Sequence, residues 1–213
     1  MFTGLVQDVG TIARIARRGD EARLTVSTAL RDFKTGESIA VDGACLTIAE
    51  LGARDFTAFA SSETLSRTGL GDTALGARVN LERASRLGDP MGGHLVTGHV
   101  DARVALLAKE RAGEAEVWTI ALPDDEALAR QIARKGSVAL DGVSLTVNAV
   151  GTGSFEVTLI PHTLGSTTLG ALAAGARLNL ETDVLAKYVA RQLGREGGGG
   201  VDMELLARSG FVR

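Results

Sequence analysis

The sequence is short of cysteine, histidine, proline and aromatic residues. Its 213 residues include one cysteine, three histidines and three prolines, and aromatic residues make up 4%. A single cysteine cannot form an internal disulfide, which is typical of a reducing compartment, so we expect a cytoplasmic protein. The histidines and the cysteine are too widely spread to match the ligand spacing of a metal site.

The sequence also lacks an excess of one charge and any long apolar run. The net charge is −3 and no basic stripe is present, so we expect no nucleic-acid partner. No apolar run approaches the roughly 20 residues of a membrane span. The first ten residues, MFTGLVQDVG, have neither a charged n-region nor an apolar h-region, so we do not expect them to form a signal peptide. What remains is a soluble globular protein of one large or two small domains.

A long internal repeat is the most informative feature of the sequence. VDGACLTIAE (41–50) returns 99 positions later as LDGVSLTVNA (140–149), with Ser144 in place of Cys45. The same offset relates two further pairs of segments, 63–71 to 162–170 and 76–82 to 175–181. FTGLVQDVG (2–10) aligns with VTGHVDARV (96–104) at an offset of 94. A repeat of this length is too long for a solenoid unit and indicates two tandem domains.

The repeat sets the expected domain organisation. We predict domains over 1–90 and 91–182, followed by a tail over 183–213. The boundary falls in RLGDPMGGHLV (86–96), where proline and glycine cluster. The difference between the two offsets predicts a five-residue insertion in the second copy between 105 and 135. We assign it to a longer loop at the polar segment KERAGEAEV (109–117).

The local pattern within each copy is rich in β-structure. Alternating apolar residues predict strands over 53–60 and 154–160. Asp-Gly joins two β-prone runs in each copy, at Asp42 and at Asp141, which predicts two hairpins. Many short strands of this kind indicate a small barrel or a sandwich. PDDEALARQIARK (123–135) predicts a helix, and SSETLSRTGLG (61–71) predicts a single helical turn.

The tail differs from both copies. Residues 182–196 predict a helix whose apolar stripe comprises Val184, Leu185, Tyr188, Val189 and Leu193. GGGG (197–200) then predicts a linker, and 203–211 a short second helix. From the residues alone, the stripe either packs back on a domain or makes an oligomer contact.

Five motifs in order give the sequence a family resemblance. MFTGLV, DGACLT, GGHLVTGHVD, KGSVALDGVSLTV and LIPHTLGSTTLG together resemble the riboflavin synthase family over essentially the whole chain. The resemblance implies an all-β fold of tandem six-stranded Greek-key β-barrels followed by a C-terminal α-helix. It also implies a homotrimer held by those helices, with lumazine synthase as a further partner and no cofactor.

The resemblance also implies a reaction. Two molecules of 6,7-dimethyl-8-ribityllumazine dismutate into riboflavin and 5-amino-6-(D-ribitylamino)uracil by transfer of a four-carbon unit. Two copies of one binding site suit a reaction between two copies of one molecule, which explains the duplication.

The resemblance implies substrate-binding residues in both barrels. In the N-terminal barrel they are Phe2, Gly4, Leu5, Val6, Cys45, Leu46, Thr47, Phe59, Ala60, Ser61, Ser62, Glu63 and Thr64. In the C-terminal barrel they are Gly98, His99, Val100, Lys135, Ser144, Leu145, Thr146, Leu159, Ile160, Pro161, His162, Thr163 and Leu164. Glu63 and His162 are the expected partners of the hydroxyl-rich ribityl chains. The catalytic candidates are Ser144, Cys45, His99, Lys135, Asp141 and Asp183.

Five of the six catalytic candidates have a plainer interpretation. Cys45 would be a small buried apolar residue and His99 a structural histidine, as we expect for His94. Asp141 would serve its turn, because Asp42 does so in the other copy. Lys135 would be a surface charge. Asp183 would act as a helix cap, and Phe2, one of the substrate-binding candidates, would fill the core.

Ser144 is the candidate to deliver a hydroxyl group, or an activated water, to carbon 7 of the donor substrate. Two other functions compete with the enzyme. A lumazine- or flavin-binding antenna protein would be expected to lose one of its two pockets, and a flavin-dependent reductase would need a nicotinamide-binding domain with a glycine fingerprint. Both copies retain their pocket residues, and no such domain fits in the chain.

Overall fold

The computed structural model describes residues 1–196, which form two closed six-stranded barrels and a following helix. The predicted fold is therefore confirmed. The strands are β1 (Asp8–Arg18), β2 (Glu21–Ser27), β3 (Ser38–Val41), β4 (Ala44–Leu51), β5 (Asp55–Ala60), β6 (Arg78–Arg83), β7 (Ala102–Ala112), β8 (Ala115–Ala121), β9 (Ser137–Leu140), β10 (Val143–Val150), β11 (Ser154–Leu159) and β12 (Arg177–Thr182). The helices are α1 (Ser62–Arg67), α2 (Glu126–Ala129), α3 (Pro161–Ser166) and α4 (Val184–Glu196).

The two barrels have the same topology. The strand order is β1-β2-β5-β4-β3-β6 in the first barrel and β7-β8-β11-β10-β9-β12 in the second, with antiparallel pairing. Both predicted Asp-Gly hairpins form, joining β3 to β4 and β9 to β10. Asp42 and Asp141 both have a φ of 45°, and the following glycines also have positive φ, as this tight turn requires.

Each barrel encloses its own apolar core because strand residues alternate between the two faces. Phe56 fills the first core and Trp118 and Phe155 fill the second, all at most 1% exposed. The predicted strands over 53–60 and 154–160 correspond to β5 and β11.

Two sequence predictions in the second copy are wrong. KERAGEAEV is not a loop but the hairpin of β7 and β8, and these strands have the lengths of β1 and β2. The five extra residues lie instead between β8 and β9, where 122–136 replaces 28–37. The helix predicted over 123–135 is limited to α2. After Ala129 the chain continues in turns, with hydrogen bonds from Gln131 to Leu128 and from Ile132 to Ala129, and the Lys135 amide bonds to the Val147 carbonyl oxygen at 2.7 Å.

The barrels are joined by reciprocal contacts. Phe2 and Val96 form an antiparallel bridge and pack in a buried cluster between the barrels. The side-chain amide of Asn80 donates to the Asp141 carbonyl oxygen at 2.9 Å, and that of Asn179 donates to the Asp42 carbonyl oxygen at 2.8 Å. Equivalent residues of the two copies thus exchange the same contacts.

Helix α4 leaves the second barrel at Asp183, whose carboxylate accepts a hydrogen bond from the Leu185 amide at 2.9 Å, as the predicted cap. Lys187 pairs with Asp101 at 2.7 Å and ties the helix to that barrel. Four residues of the apolar stripe remain 57–69% exposed, namely Leu185, Tyr188, Val189 and Leu193. The predicted linker over 197–200 and helix over 203–211 lie outside the described residues. Among residues 1–196, no helix combines the length and apolar character needed to cross a membrane.

Candidate substrate pockets

Two pockets lie at equivalent positions on the two barrels. The first has a volume of about 260 Å³ and is lined by Ala44, Cys45, Ser61, Glu63, Thr64, Arg67, Thr68, Gly98, His99 and Val100. The second has a volume of about 230 Å³ and is lined by Gly4, Leu5, Val6, Val143, Ser144, His162, Thr163, Ser166 and Thr167. Every residue of the second pocket has its repeat equivalent in the first. We call them the N-terminal pocket and the C-terminal pocket.

Each pocket is completed by a segment that the sequence alignment places at the start of the other copy. The Ser144 amide donates to the Gly4 carbonyl oxygen at 2.8 Å, and the Cys45 amide donates to the Gly98 carbonyl oxygen, also at 2.8 Å. The expected grouping of 4–6 with the N-terminal barrel and 98–100 with the C-terminal barrel is therefore wrong. The two segments pair with each other at Phe2 and Val96, and each then enters the pocket of the other barrel.

The crossing segments approach so closely that each requires glycine. Gly4 has a φ of 75°, and a Cβ atom there would lie 2.5 Å from the Ser144 Cβ. Gly98 has a φ of 83°, and a Cβ atom there would lie 2.5 Å from the Cys45 Cβ. Other residues rarely adopt this backbone conformation, and none could avoid the clash.

Ser144 in the C-terminal pocket has a histidine partner. Its Oγ lies 2.7 Å from Nδ1 of His94, which is 9% exposed. Burial lowers the pKa of His94 below its ordinary value, and the nearby charge of Asp183 opposes part of that shift. A neutral imidazole can accept the serine proton, which is the arrangement of an activated nucleophile. From the sequence we interpret His94 as structural, because a lone histidine in a glycine-rich segment does not indicate a catalytic role.

The N-terminal pocket has different chemistry at the same positions. Among residues 1–196, the Cys45 thiol has no hydrogen-bond partner. Glu63 and Arg67 line this pocket where the C-terminal pocket has His162 and Ser166. The two pockets are thus built from equivalent positions of the repeat and differ in their polar side chains.

The structure brings only some of the expected residues into the pocket linings. The predicted pocket residues whose side chains lie in the barrel cores are Leu46, Ala60, Leu145 and Leu159. Phe2 is 1% exposed and fills the cluster between the barrels, beside Cys45. Phe59 lies on the outer barrel surface in a depression shared with Arg17, Arg18 and Arg23.

Three of the catalytic candidates lie outside the pocket linings. Lys135 is exposed in the turn before β9. Asp141 accepts a hydrogen bond from the Asn179 amide at 2.7 Å, within the contact between the barrels. Asp183 caps α4 and acts on His94 through its charge.

Besides Ala44 and Val143, which are small parts of the wall, four lining residues have no counterpart among the sequence predictions, namely Arg67, Thr68, Ser166 and Thr167 at the ends of α1 and α3. His94, which contacts Ser144 from behind the pocket wall, was not predicted as a functional residue either. Within the described part of the chain, no cluster of three or more histidine, cysteine or acidic residues could hold a metal ion.

Comparison with known proteins agrees with this architecture. The family model described as "Lumazine binding domain" matches twice, over residues 3–84 and 97–183. Riboflavin synthase of Photobacterium phosphoreum is 40% identical over the whole of both chains. Riboflavin synthase of Mycobacterium tuberculosis (strain ATCC 25618 / H37Rv) is 45% identical over 92% of this chain and all of its own. A crystal structure of LumP complexed with riboflavin has a TM-score of 0.78 at 23% identity, covering 85% of this chain and 99% of that one.

Proposed function

Because the chain belongs to the riboflavin synthase family, we propose that it converts two molecules of 6,7-dimethyl-8-ribityllumazine into riboflavin and 5-amino-6-(D-ribitylamino)uracil. The observation that carries this proposal is the residue-by-residue equivalence of the two pockets. A reaction between two identical molecules needs two sites of one shape. It also needs them to differ in chemistry, because one molecule gives four carbons and the other receives them.

The substrate supplies much of the reactivity. Its 7-methyl protons are acidic because the methyl group is conjugated to an electron-poor ring, and its carbon 7 accepts nucleophiles. The protein then contributes positioning of two rings, which is worth about 7–11 kcal/mol in favourable cases. Each pocket, at about 230–260 Å³, is smaller than the roughly 300–1,000 Å³ of a typical small-molecule site, which suits a site that a second copy of the protein completes.

The polar groups of the pockets support a proposal for the role of each pocket. Ser144, with neutral His94 as its base, can add its oxygen or an activated water to carbon 7 of the substrate in the C-terminal pocket. We therefore place the donor molecule there. The N-terminal pocket, with Cys45, His99 and Glu63, then holds the acceptor. Glu63 and His162 are the groups at equivalent positions that can bind the ribityl hydroxyls.

The assembly belongs to the same proposal. The exposed apolar residues of α4 point away from the side on which Lys187 contacts the barrel, and contact between copies would cover them. Membership of the riboflavin synthase family implies a homotrimer formed through α4, in which the N-terminal pocket of one copy faces the C-terminal pocket of the next. We place this enzyme in the cytoplasm, with lumazine synthase as a further candidate partner.

The first test is incubation of the purified protein with 6,7-dimethyl-8-ribityllumazine alone, followed by riboflavin absorbance. We expect one riboflavin for every two substrate molecules consumed, without added metal or cofactor. Saturable binding of the substrate with no riboflavin formed would contradict the proposal and indicate a lumazine- or flavin-binding antenna protein.

A further inference from the structure

Two buried glutamates lie outside both pocket linings and hold the segments that complete them. Glu82 on β6 is 4% exposed and Glu181 on β12 is 3% exposed. Neither forms a salt bridge within residues 1–196. A buried carboxylate without a cation is costly unless hydrogen-bond donors surround it, so the partners of these two groups are informative.

The hydrogen bonds of the two carboxylates match one by one. Glu82 Oε1 accepts from the Thr3 amide at 2.6 Å and from Thr3 Oγ1 at 2.7 Å, and its Oε2 accepts from the Gly4 amide at 2.9 Å. Glu181 accepts from the Thr97 amide, Thr97 Oγ1 and the Gly98 amide at the same three distances. The two copies of the repeat differ at many positions, but they share this set of three hydrogen bonds.

The residue that each glutamate fixes belongs to the pocket of the opposite barrel. Glu82 is in the N-terminal barrel, yet Gly4 faces Ser144 in the C-terminal pocket. Glu181 is in the C-terminal barrel, yet Gly98 faces Cys45 in the N-terminal pocket.

We propose that Glu82 and Glu181 are positioning residues, each of which sets the geometry of the pocket on the opposite barrel. By holding the Gly4 amide, Glu82 orients the residue whose carbonyl oxygen receives the Ser144 amide. Glu181 does the same for Gly98 and Cys45. The inference deepens the proposed function, and it depends on that function only for the choice of ligand.

An amide would not replace either carboxylate. A carboxylate presents acceptors only, whereas the glutamine side chain places an NH₂ group where one of the oxygens was. In Glu82→Gln or Glu181→Gln, two donors would face each other at one of these contacts. The crossing segment would then lose a hydrogen bond, although the size of the side chain is unchanged.

The single cysteine of the chain makes the effect measurable in one pocket. Cys45 lines the N-terminal pocket, and its alkylation by iodoacetamide can be followed with and without riboflavin. We expect Glu181→Gln to raise the alkylation rate of the free protein. We expect it also to weaken protection by riboflavin about tenfold, the equivalent of about 1.4 kcal/mol. Glu82→Gln should leave both quantities unchanged.

The reciprocal measurement uses a protein in which the reporter has been moved. With Cys45→Ser and Ser144→Cys, the only thiol lies in the C-terminal pocket. Here Glu82→Gln should raise alkylation and weaken protection, and Glu181→Gln should not. A general loss of stability cannot produce this exchange of effects between two reporters.

Equal effects of both glutamine variants on both reporters, or no effect on either, would overturn the inference. If a glutamine variant fails to fold, Thr3→Val or Thr97→Val removes one of the three donors and is tested in the same way. Failure of riboflavin to protect the unmodified protein would count against the proposed function instead. The alkylation rates without ligand would still decide whether the glutamates position the pockets.

Discussion

The amide of Ser144 donates a 2.8 Å hydrogen bond to the carbonyl oxygen of Gly4, across the contact between the two barrels. The catalytic candidate of one barrel is thereby held by the segment that begins the other. Cys45 and Gly98 repeat the relationship. The two pockets are consequently properties of the whole chain, and neither barrel contains a complete pocket by itself.

Gly4→Ala should impair the C-terminal pocket. The new Cβ atom would lie 2.5 Å from that of Ser144, and a displacement of about 1 Å at reacting groups can cost about 100-fold in rate. We expect a loss of kcat of about that size, measured as riboflavin formation.

Gly76→Ala is the matched control for this variant. Gly76 has a φ of 84°, and a Cβ atom there would meet nothing within 4 Å. Both variants carry the backbone cost of roughly 1–2 kcal/mol for a left-handed conformation, but only one carries the clash. Equal activity in the two variants would show that the close approach of Gly4 to Ser144 is unimportant.

His94→Asn should reduce kcat by about 10²–10⁴-fold while riboflavin binding is largely retained, because it removes a base from Ser144 and not from the ligand. Since burial lowers the pKa of His94, the activity of the unmodified protein should fall only as the pH drops below the usual range of histidine. His94→Asn should not show this fall in activity at low pH.

The combined variant His94→Asn with Ser144→Ala should be no slower than Ser144→Ala alone, because the effects of substituting two residues that act as a unit are not additive. If the losses of activity in the two single variants were additive in the combined variant, His94 and Ser144 would act independently.

Much of the fold follows from local patterns in the sequence. The 99-residue offset predicts two domains of one fold, and Asp-Gly predicts the hairpins because it suits the positive φ of the turn. The helix predicted over 123–135 was wrong because its pattern of charges says nothing about the tertiary bond from the Lys135 amide to Val147.

The pockets were predictable only in part. The resemblance indicated Cys45, Ser144 and the segments around them, but not the crossing of residues 4–6 and 98–100. Sequence order assigns a segment to the domain it precedes, whereas in the folded chain the two segments pair at Phe2 and Val96 and each contributes to the pocket of the other barrel. His94 was missed for the same reason, since only the folded chain places it against Ser144.

The contribution of Asp141 to the stability of the protein should fall as the pH rises towards neutrality. Burial raises the pKa of this carboxyl to about 7, and burial together with the nearby Asp141 also raises that of Asp42. Between the ordinary value and about 7, the folded chain holds a proton that the unfolded chain releases. The free energy of unfolding then decreases with rising pH, by at most about 1.4 kcal/mol per pH unit for one proton.

Asp141→Asn should flatten this dependence in urea titrations at different pH values. Asparagine tolerates the φ of 45° and can still accept the hydrogen bond from the Asn179 amide. Glu37→Gln provides a control of opposite sign, because hydrogen bonding to Arg83 lowers the pKa of Glu37. The ionised Glu37 carboxylate stabilises the folded protein at neutral pH, and this stabilisation is lost on acidification. An unchanged slope in Asp141→Asn would show that this carboxyl is ionised in the folded protein at all the pH values tested.

Val189→Glu should dissociate the proposed assembly through α4. Val189 is 57% exposed in the single chain, and a charge buried in an interface between copies would be strongly unfavourable. We expect the molar mass measured by light scattering to fall from that of a trimer to that of one chain. Riboflavin formation should be lost with it, because the reacting pockets belong to neighbouring copies in the proposed assembly. Riboflavin binding by each chain should persist, since the pockets within a chain do not include α4.

The matched control is Ala190→Glu, which introduces the same charge one residue further along α4. Successive helix residues are about 100° apart, so Ala190 lies beside the apolar stripe and not within it. The control should keep both the trimer mass and the activity. If Val189→Glu remained a trimer with full activity, α4 would not be the contact between copies, and the exposed stripe would need another partner. If it became a single chain with full activity, the two pockets of one chain would suffice for the reaction, and the proposed pairing of pockets between copies would be wrong.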